Sequence, residues 1–159
     1  MTREKFRSGF ITIIGRPNAG KSTLMNTILQ QKIAIVSDKP QTTQNRIRGF
    51  YTTDDAQLIF IDTPGIHKPK HKLGEFMNEA AKGAVAGVDL IFYIVDAGQP
   101  YGKGEEYIIR SLPKDTPVFL LLNKIDLLEK DALLHMIMEY SERFPFAEIV
   151  PVSALKDDN

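Results

Sequence analysis

The sequence predicts a three-layer α/β fold, a mostly parallel sheet with helices on both faces. Apolar, β-branched runs of strand length recur at Phe10 to Ile14, Leu58 to Ile61, Leu90 to Val95, Val118 to Leu122 and Ile149 to Val152. They are continuous rather than alternating, as in strands buried on both faces beneath covering helices. Helix-like segments separate several of them. The polar, glycine- or aspartate-bearing motifs fall at the carboxyl ends of these runs, where open α/β sheets place their ligand sites.

Each element follows in order. Phe10 to Ile14 enters a glycine-bearing loop, and Lys21 to Gln30 leaves it as a helix with Leu24, Ile28 and Leu29 on one face. Arg48 to Thr52 is shorter and more polar, which suits an edge strand. It lies close enough to Leu58 to pair antiparallel around Thr53-Asp54-Asp55-Ala56. Further helices are expected at Leu73 to Ala86, Gly104 to Leu112 and Lys130 to Phe144. Asp96, at the end of its strand, is expected to cap a turn at Ala97-Gly98. There is no internal repeat and no low-complexity segment.

With 159 residues and 43% hydrophobic content, the chain suits one domain with a full core. Lys plus Arg equals Asp plus Glu, so the total charge gives no sign of a nucleic-acid or anionic-membrane surface. The absence of cysteine excludes disulfides and thiolate metal sites and fits a reducing compartment. The N-terminus has charges but no apolar core for a signal peptide. Runs such as Leu90 to Val95 are far too short to span a bilayer. The expectation is a cytoplasmic protein.

The motifs supply the chemistry. Gly15-Arg16-Pro17-Asn18-Ala19-Gly20-Lys21-Ser22 fits G-x-x-x-x-G-K-[ST], a P-loop whose N–H groups surround phosphate oxygens. Lys21 is then a point charge, Ser22 a Mg²⁺ ligand, and the phosphates meet a helix N-terminus. Asn18, Ala19, Gly20, Lys21, Ser22 and Thr23 form the expected phosphate-binding set. Asp62-Thr63-Pro64-Gly65 puts a carboxylate at a strand end, able to hold Mg²⁺ through water, with the Gly65 N–H for a terminal phosphate oxygen. Taken alone, it also fits a plain turn.

Asn123-Lys124-Ile125-Asp126 suits guanine. Asp126 can accept from N1–H and the exocyclic amine, Asn123 can bond N7 and brace the loop, and the Lys124 stem can cover a ring face. Adenine lacks those donors, and such sites reject the wrong partner by roughly 10⁴ to 10⁵. Ser153-Ala154-Leu155 adds a backbone N–H at Ala154 for the guanine O6. A second Mg²⁺-binding hydroxyl is expected in the polar stretch from Ser37 to Arg46, at Thr43 in preference to Thr42, which would order that loop only when the γ-phosphate is present. The catalytic expectation is Asn18, Lys21, Thr43 and Gly65, with Ser22, Thr43 and Asp62 on the metal.

These elements resemble the Era/TrmE-like family of translation-factor-class P-loop GTPases. The resemblance covers nearly the whole chain, through Gly15 to Thr23, Ser37 to Thr43, Ile61 to Gly74, Asn123 to Asp126 and Ile149 to Leu155. It is most specific in the switch segments Gln41 to Arg46 and Asp62 to Gly74. It implies a six-stranded sheet with one antiparallel edge strand, binding of GTP and GDP, slow GTP hydrolysis, and a part in small ribosomal subunit assembly and rRNA maturation. It further implies that residues 1–159 are the G domain without its last helix, leaving apolar sheet surface near the guanine loop. Contacts to small-subunit rRNA and the ribosome would belong to a KH domain outside this chain. The family picture allows peripheral association with the inner face of the cell membrane, and no stable oligomer is expected.

The chain departs from the family pattern in places. Gln44 follows the paired threonines where Arg is usual, and Ala19 replaces the usual Val, a small change. Ile66 stands where many small GTPases carry a water-orienting Gln, and an aliphatic side chain cannot orient water. Hydrolysis without another group would stay near about 10⁻⁴ per second. In related GTPases an Asn at the position of Asn18 helps hold K⁺ beside the phosphates, so K⁺-stimulated turnover is expected. His67, Lys68, Lys70, His71 and Lys72 form a basic cluster, read as a solvated switch loop or as a contact to RNA or a partner domain. Other readings share the nucleotide motifs: a binding module with negligible turnover, or a GTPase of tRNA modification or membrane transport, against which the switch sequence argues.

Overall fold

The strands run Arg7–Ile14 (β1), Arg46–Thr52 (β2), Ala56–Asp62 (β3), Leu90–Asp96 (β4), Val118–Asn123 (β5) and Glu148–Pro151 (β6). Among the described residues the helices are Lys21–Gln31 (α1), Lys103–Ser111 (α2) and Lys130–Arg143 (α3), with a 3₁₀ turn at Ile125–Leu127. The computed structural model describes residues 5–31, 46–62 and 88–156, with residues 30, 31, 46–48 and 62 described by backbone alone. The expected helix from Leu73 to Ala86, Thr43 with its loop, Gly65, Ile66 and the basic cluster lie outside the described residues. The other expected elements are found within a few residues of their expected ends. The strands gain residues mainly at their amino ends, where β1 and β3 begin together as Arg7 pairs with Ala56.

The six strands form one sheet in the order β2-β3-β1-β4-β5-β6. Every neighbouring pair is parallel except β2 with β3. That pair is the expected hairpin. Its turn closes as the Thr53 N–H donates to the Ala56 carbonyl at 2.7 Å, while the Thr53 hydroxyl donates to Asp55 Oδ1 at 2.8 Å. β1 lies between β3 and β4, so the chain leaves it toward one edge and returns on its other side. Such a reversal opens a crevice at the carboxyl end of the central strand.

Alternation along the buried strands fills both faces. Tyr93, Val95, Leu120 and Leu122 point to one face, where they pack with Ile108 and Ile109 of α2 and Tyr140 of α3. Ile94 and Leu121 point to the other, with Leu24 and Leu29 of α1, Phe60 and Val152. Burying each such side chain contributes about 1.5–3 kcal/mol. On the α1 face Phe92 stacks on Phe119 at 5.8 Å and meets Phe60 edge-on at 6.2 Å. These rings and Leu58, Ile28 and Val150 line an apolar groove of about 400 Å³ that reaches Ser153 and Ala154. This is apolar sheet surface near the expected guanine loop.

Candidate nucleotide-binding site

The loop between β1 and α1 is a tight turn on a helix start. The Ala19 N–H donates to the Arg16 carbonyl at 3.2 Å, and the first helical bond runs from the Leu24 N–H to the Gly20 carbonyl at 2.9 Å. Asn18 and Gly20 take left-handed backbone, φ 66° and 107°. Alternating backbone hands turn successive N–H groups toward one concavity, which favours an anion. Helix α1 starts at Lys21, and a helix N-terminus directs its dipole and first N–H groups toward an anion. Lys21 Nζ donates to the Gly15 carbonyl at 3.0 Å, folding the cation back over the loop.

The loop after β5 fastens this turn from outside. Asn123 is 2% exposed. Its Nδ2 donates to the Ala19 carbonyl and its Oδ1 accepts from the Ala154 N–H, each at 2.9 Å. A single amide thus joins the phosphate turn, the β5 loop and the β6 loop. The Ala154 N–H, expected to meet the guanine O6, is directed at Asn123 here. Lys124 has φ 66°, a left-handed conformation that costs a side-chain-bearing residue about 1–2 kcal/mol. Its ammonium donates to the Asn18 carbonyl at 2.9 Å and to Asp96 Oδ2 at 2.8 Å, which holds the strained residue in place.

Asp126, in the 3₁₀ turn, accepts from the Ser153 hydroxyl at 2.9 Å through Oδ1, and Lys156 Nζ stands 4.0 Å from Oδ2. The carboxylate is braced yet keeps acceptor capacity for a pair of N–H donors. Ser153 is 1% exposed, Ala154 is buried, and Leu155 is 81% exposed. The Thr27 hydroxyl donates to the Ala154 carbonyl at 3.0 Å, tying α1 to the same loop.

Asp96 caps its turn as expected: Oδ1 accepts from the Gly98 N–H at 2.8 Å. Its pair with Lys124 was not foreseen. The two meet because Asp96 and Asn123 are register partners across β4 and β5, a relationship that sequence separation hides. The pair of Arg16 with Glu105 at 3.1 Å was missed for the same reason.

Of the expected metal ligands, Ser22 lies in the first turn of α1 and the backbone of Asp62 ends β3 opposite Arg46. A hydroxyl and a strand-end carboxylate are hard oxygen donors of the type Mg²⁺ takes. Thr43 and Gly65 fall outside the described residues. Among the described residues, no helix is long and apolar enough to cross a membrane.

Comparison with known proteins accords with this architecture. Residues 10–124 match the 50S ribosome-binding GTPase family. Aquifex aeolicus Era, in a variant bound to GDP·AlF4⁻, is 37% identical with a TM-score of 0.72, over 96% of this chain and 53% of that one. Era in complex with MgGDPNP and nucleotides 1506–1542 of 16S ribosomal RNA is 36% identical with a TM-score of 0.74, over 97% and 53%. The chain therefore spans about half the length of these Era structures. The G domain of the T. maritima FeoB iron transporter, 20% identical with a TM-score of 0.65 over 95% and 91%, shares the fold. Strand order, loop geometry and the family match agree: this chain is a P-loop GTPase domain and belongs to the 50S ribosome-binding GTPase family.

Proposed function

We propose that the chain is the GTP-binding and GTP-hydrolysing switch domain of an Era-like factor in small ribosomal subunit assembly and rRNA maturation. The observation that carries the reading is the Asn123 amide, which couples a phosphate-binding turn to a loop presenting Asp126. In this reading residues 18–23 take the phosphates and Asn123, Lys124, Asp126 and the Ser153 to Leu155 loop take the guanine. Ser22, Thr43 and Asp62 would hold Mg²⁺, which draws charge from the phosphate oxygens when bound.

Hydrolysis would be slow, because Ile66 offers no hydrogen bond to an attacking water. Asn18 would take K⁺ as the compensating charge, and turnover would then rise in K⁺ over Na⁺. RNA and ribosome contacts would lie in a KH domain outside these residues, in keeping with the zero net charge of the chain and with the rRNA-bound Era neighbour. Cytoplasmic location, with peripheral contact to the inner membrane face, belongs to the same proposal.

Multiple-turnover phosphate release with GTP, in K⁺ and in Na⁺ at equal ionic strength, is the test. Slow release that K⁺ accelerates supports the reading. Equal rates in the two salts remove the K⁺ role, and nucleotide binding without release makes the chain a binding module alone.

A further inference from the structure

The geometry points to Glu105 as a positioning residue for the phosphate turn, acting through Arg16 beside a cavity between the turn and α2. The inference rests on the reading of residues 15–22 as the phosphate loop. Glu105 is 4% exposed, and a carboxylate so buried is costly unless it is paired. Its two oxygens have separate partners. Oε2 accepts from the Gly102 N–H at 3.1 Å, capping the start of α2, and Oε1 accepts from Arg16 Nη1 at 3.1 Å.

Arg16 opens the turn whose N–H groups face the phosphates, and its own carbonyl closes that turn with Ala19. The Asn18 and Ala19 carbonyls are already fastened by Lys124 and Asn123. The first residue of the turn is fastened by a third element, through Glu105 of α2. Side-chain packing does not fill the space beside this contact: a cavity of about 230 Å³ lies there, lined by Arg16, Asn18 and Ala19 against Tyr93, Asp96 and Glu105. Both members of the ion pair line it. The surface of α2 is cut away for the guanidinium, since a Cβ on Gly104 would stand 2.8 Å from Arg16 Nε and 3.0 Å from Cδ.

Two consequences follow for the nucleotide. The pair keeps the turn in its anion-facing shape before any phosphate arrives, and such preorganisation slows ligand loss more than it speeds arrival. It also withholds the Arg16 charge from the phosphates. Release of the Arg16 side chain loosens the turn, and this loss of preorganisation outweighs the freed exposed cation, so nucleotide should leave faster.

The test is stopped-flow release of a fluorescent GDP analogue from the 159-residue chain, chased with unlabelled GDP. Glu105→Gln and Arg16→Ala should each speed release about tenfold, the size of one charge-assisted hydrogen bond. Association should change by less than about twofold. The double variant should release no faster than the faster single, because both remove the same contact. Arg16→Lys should recover part of the loss. The Arg16 side chain is 46% exposed, so its variants carry the test even if Glu105→Gln folds poorly. Unchanged or slower release in Arg16→Ala, or effects that multiply in the double variant, would overturn the inference. Failure of the unmodified chain to bind guanine nucleotide at all would instead remove the phosphate-loop reading beneath it.

Discussion

Asn123 donates from Nδ2 to the Ala19 carbonyl at 2.9 Å, fastening the end of β5 to a turn 104 residues earlier in the chain. The same amide accepts from the Ala154 N–H. All these groups are buried, so truncation leaves a carbonyl and an N–H without partners. Asn123→Ala should lower stability by about 2–6 kcal/mol, at about 1–3 kcal/mol for each of the two stranded groups. Urea unfolding in the absence of nucleotide checks this. A midpoint equal to that of the parent would mean the bridge contributes nothing to the fold.

Gly20 faces the same amide. Its φ of 107° lies where side-chain-bearing residues are strained, and an added Cβ would stand 2.2 Å from Asn123 Nδ2. That nitrogen is no loose chain end, since Asn123 is held at both amide atoms. Gly20→Ala should cost about 2–4 kcal/mol, part backbone strain and part displacement of the amide. The double variant Gly20→Ala/Asn123→Ala should cost less than the sum, because removing the Asn123 side chain makes room for the methyl. Strict additivity in a double-mutant cycle by urea unfolding would contradict the contact.

The architecture was legible because a parallel sheet covered on both faces writes itself as unbroken apolar runs, as in Leu90 to Val95, and because the short polar run ending at Thr52 sits one turn from Leu58. The site was legible where its residues are local, from Gly15 to Ser22 and from Asn123 to Asp126. The bonds between those segments were not. Lys124 with Asp96, and Arg16 with Glu105, are separated by 28 and 89 residues and meet through strand register and helix placement alone. The direction of the Ala154 N–H was likewise hidden, since it depends on an amide contributed by another strand.

Asp126 carries the proposed choice of base. Its carboxylate is braced by Ser153 and accepts only, which matches a ring edge presenting paired donors. Asp126→Asn replaces one acceptor with a donor that would oppose the guanine N–H groups. GTP affinity should fall by about 10² to 10⁴, the loss of one or two charge-assisted hydrogen bonds. Xanthosine triphosphate, which offers an acceptor where guanine offers the exocyclic amine, should gain. Competition binding with the two nucleotides measures both. Unchanged GTP affinity would take Asp126 out of the site.

Tyr93 and Tyr140 bury hydroxyls that have no hydrogen-bond partner among the described residues, and burial, reinforced by Tyr140 and Glu105 for Tyr93 and by Glu105 for Tyr140, pushes both phenols well above their ordinary value. In the unfolded chain they ionise near pH 10 as exposed tyrosines do, roughly where model phenols titrate. Above that pH the folded chain keeps protons that the unfolded chain loses. The contribution of these phenols to stability should therefore be constant below about pH 10 and fall as pH rises above it, approaching about 1.4 kcal/mol per unit for each phenol. Tyr93→Phe removes one of these protons, so the fall between pH 10 and 11 should be shallower by about that amount. At neutral pH the same variant should change stability by less than about 1 kcal/mol, since the lost hydroxyl has no hydrogen-bond partner among the described residues. Urea midpoints across pH 8 to 11 test both statements, and a variant as alkali-sensitive as its parent would show that Tyr93 ionises freely in the folded chain.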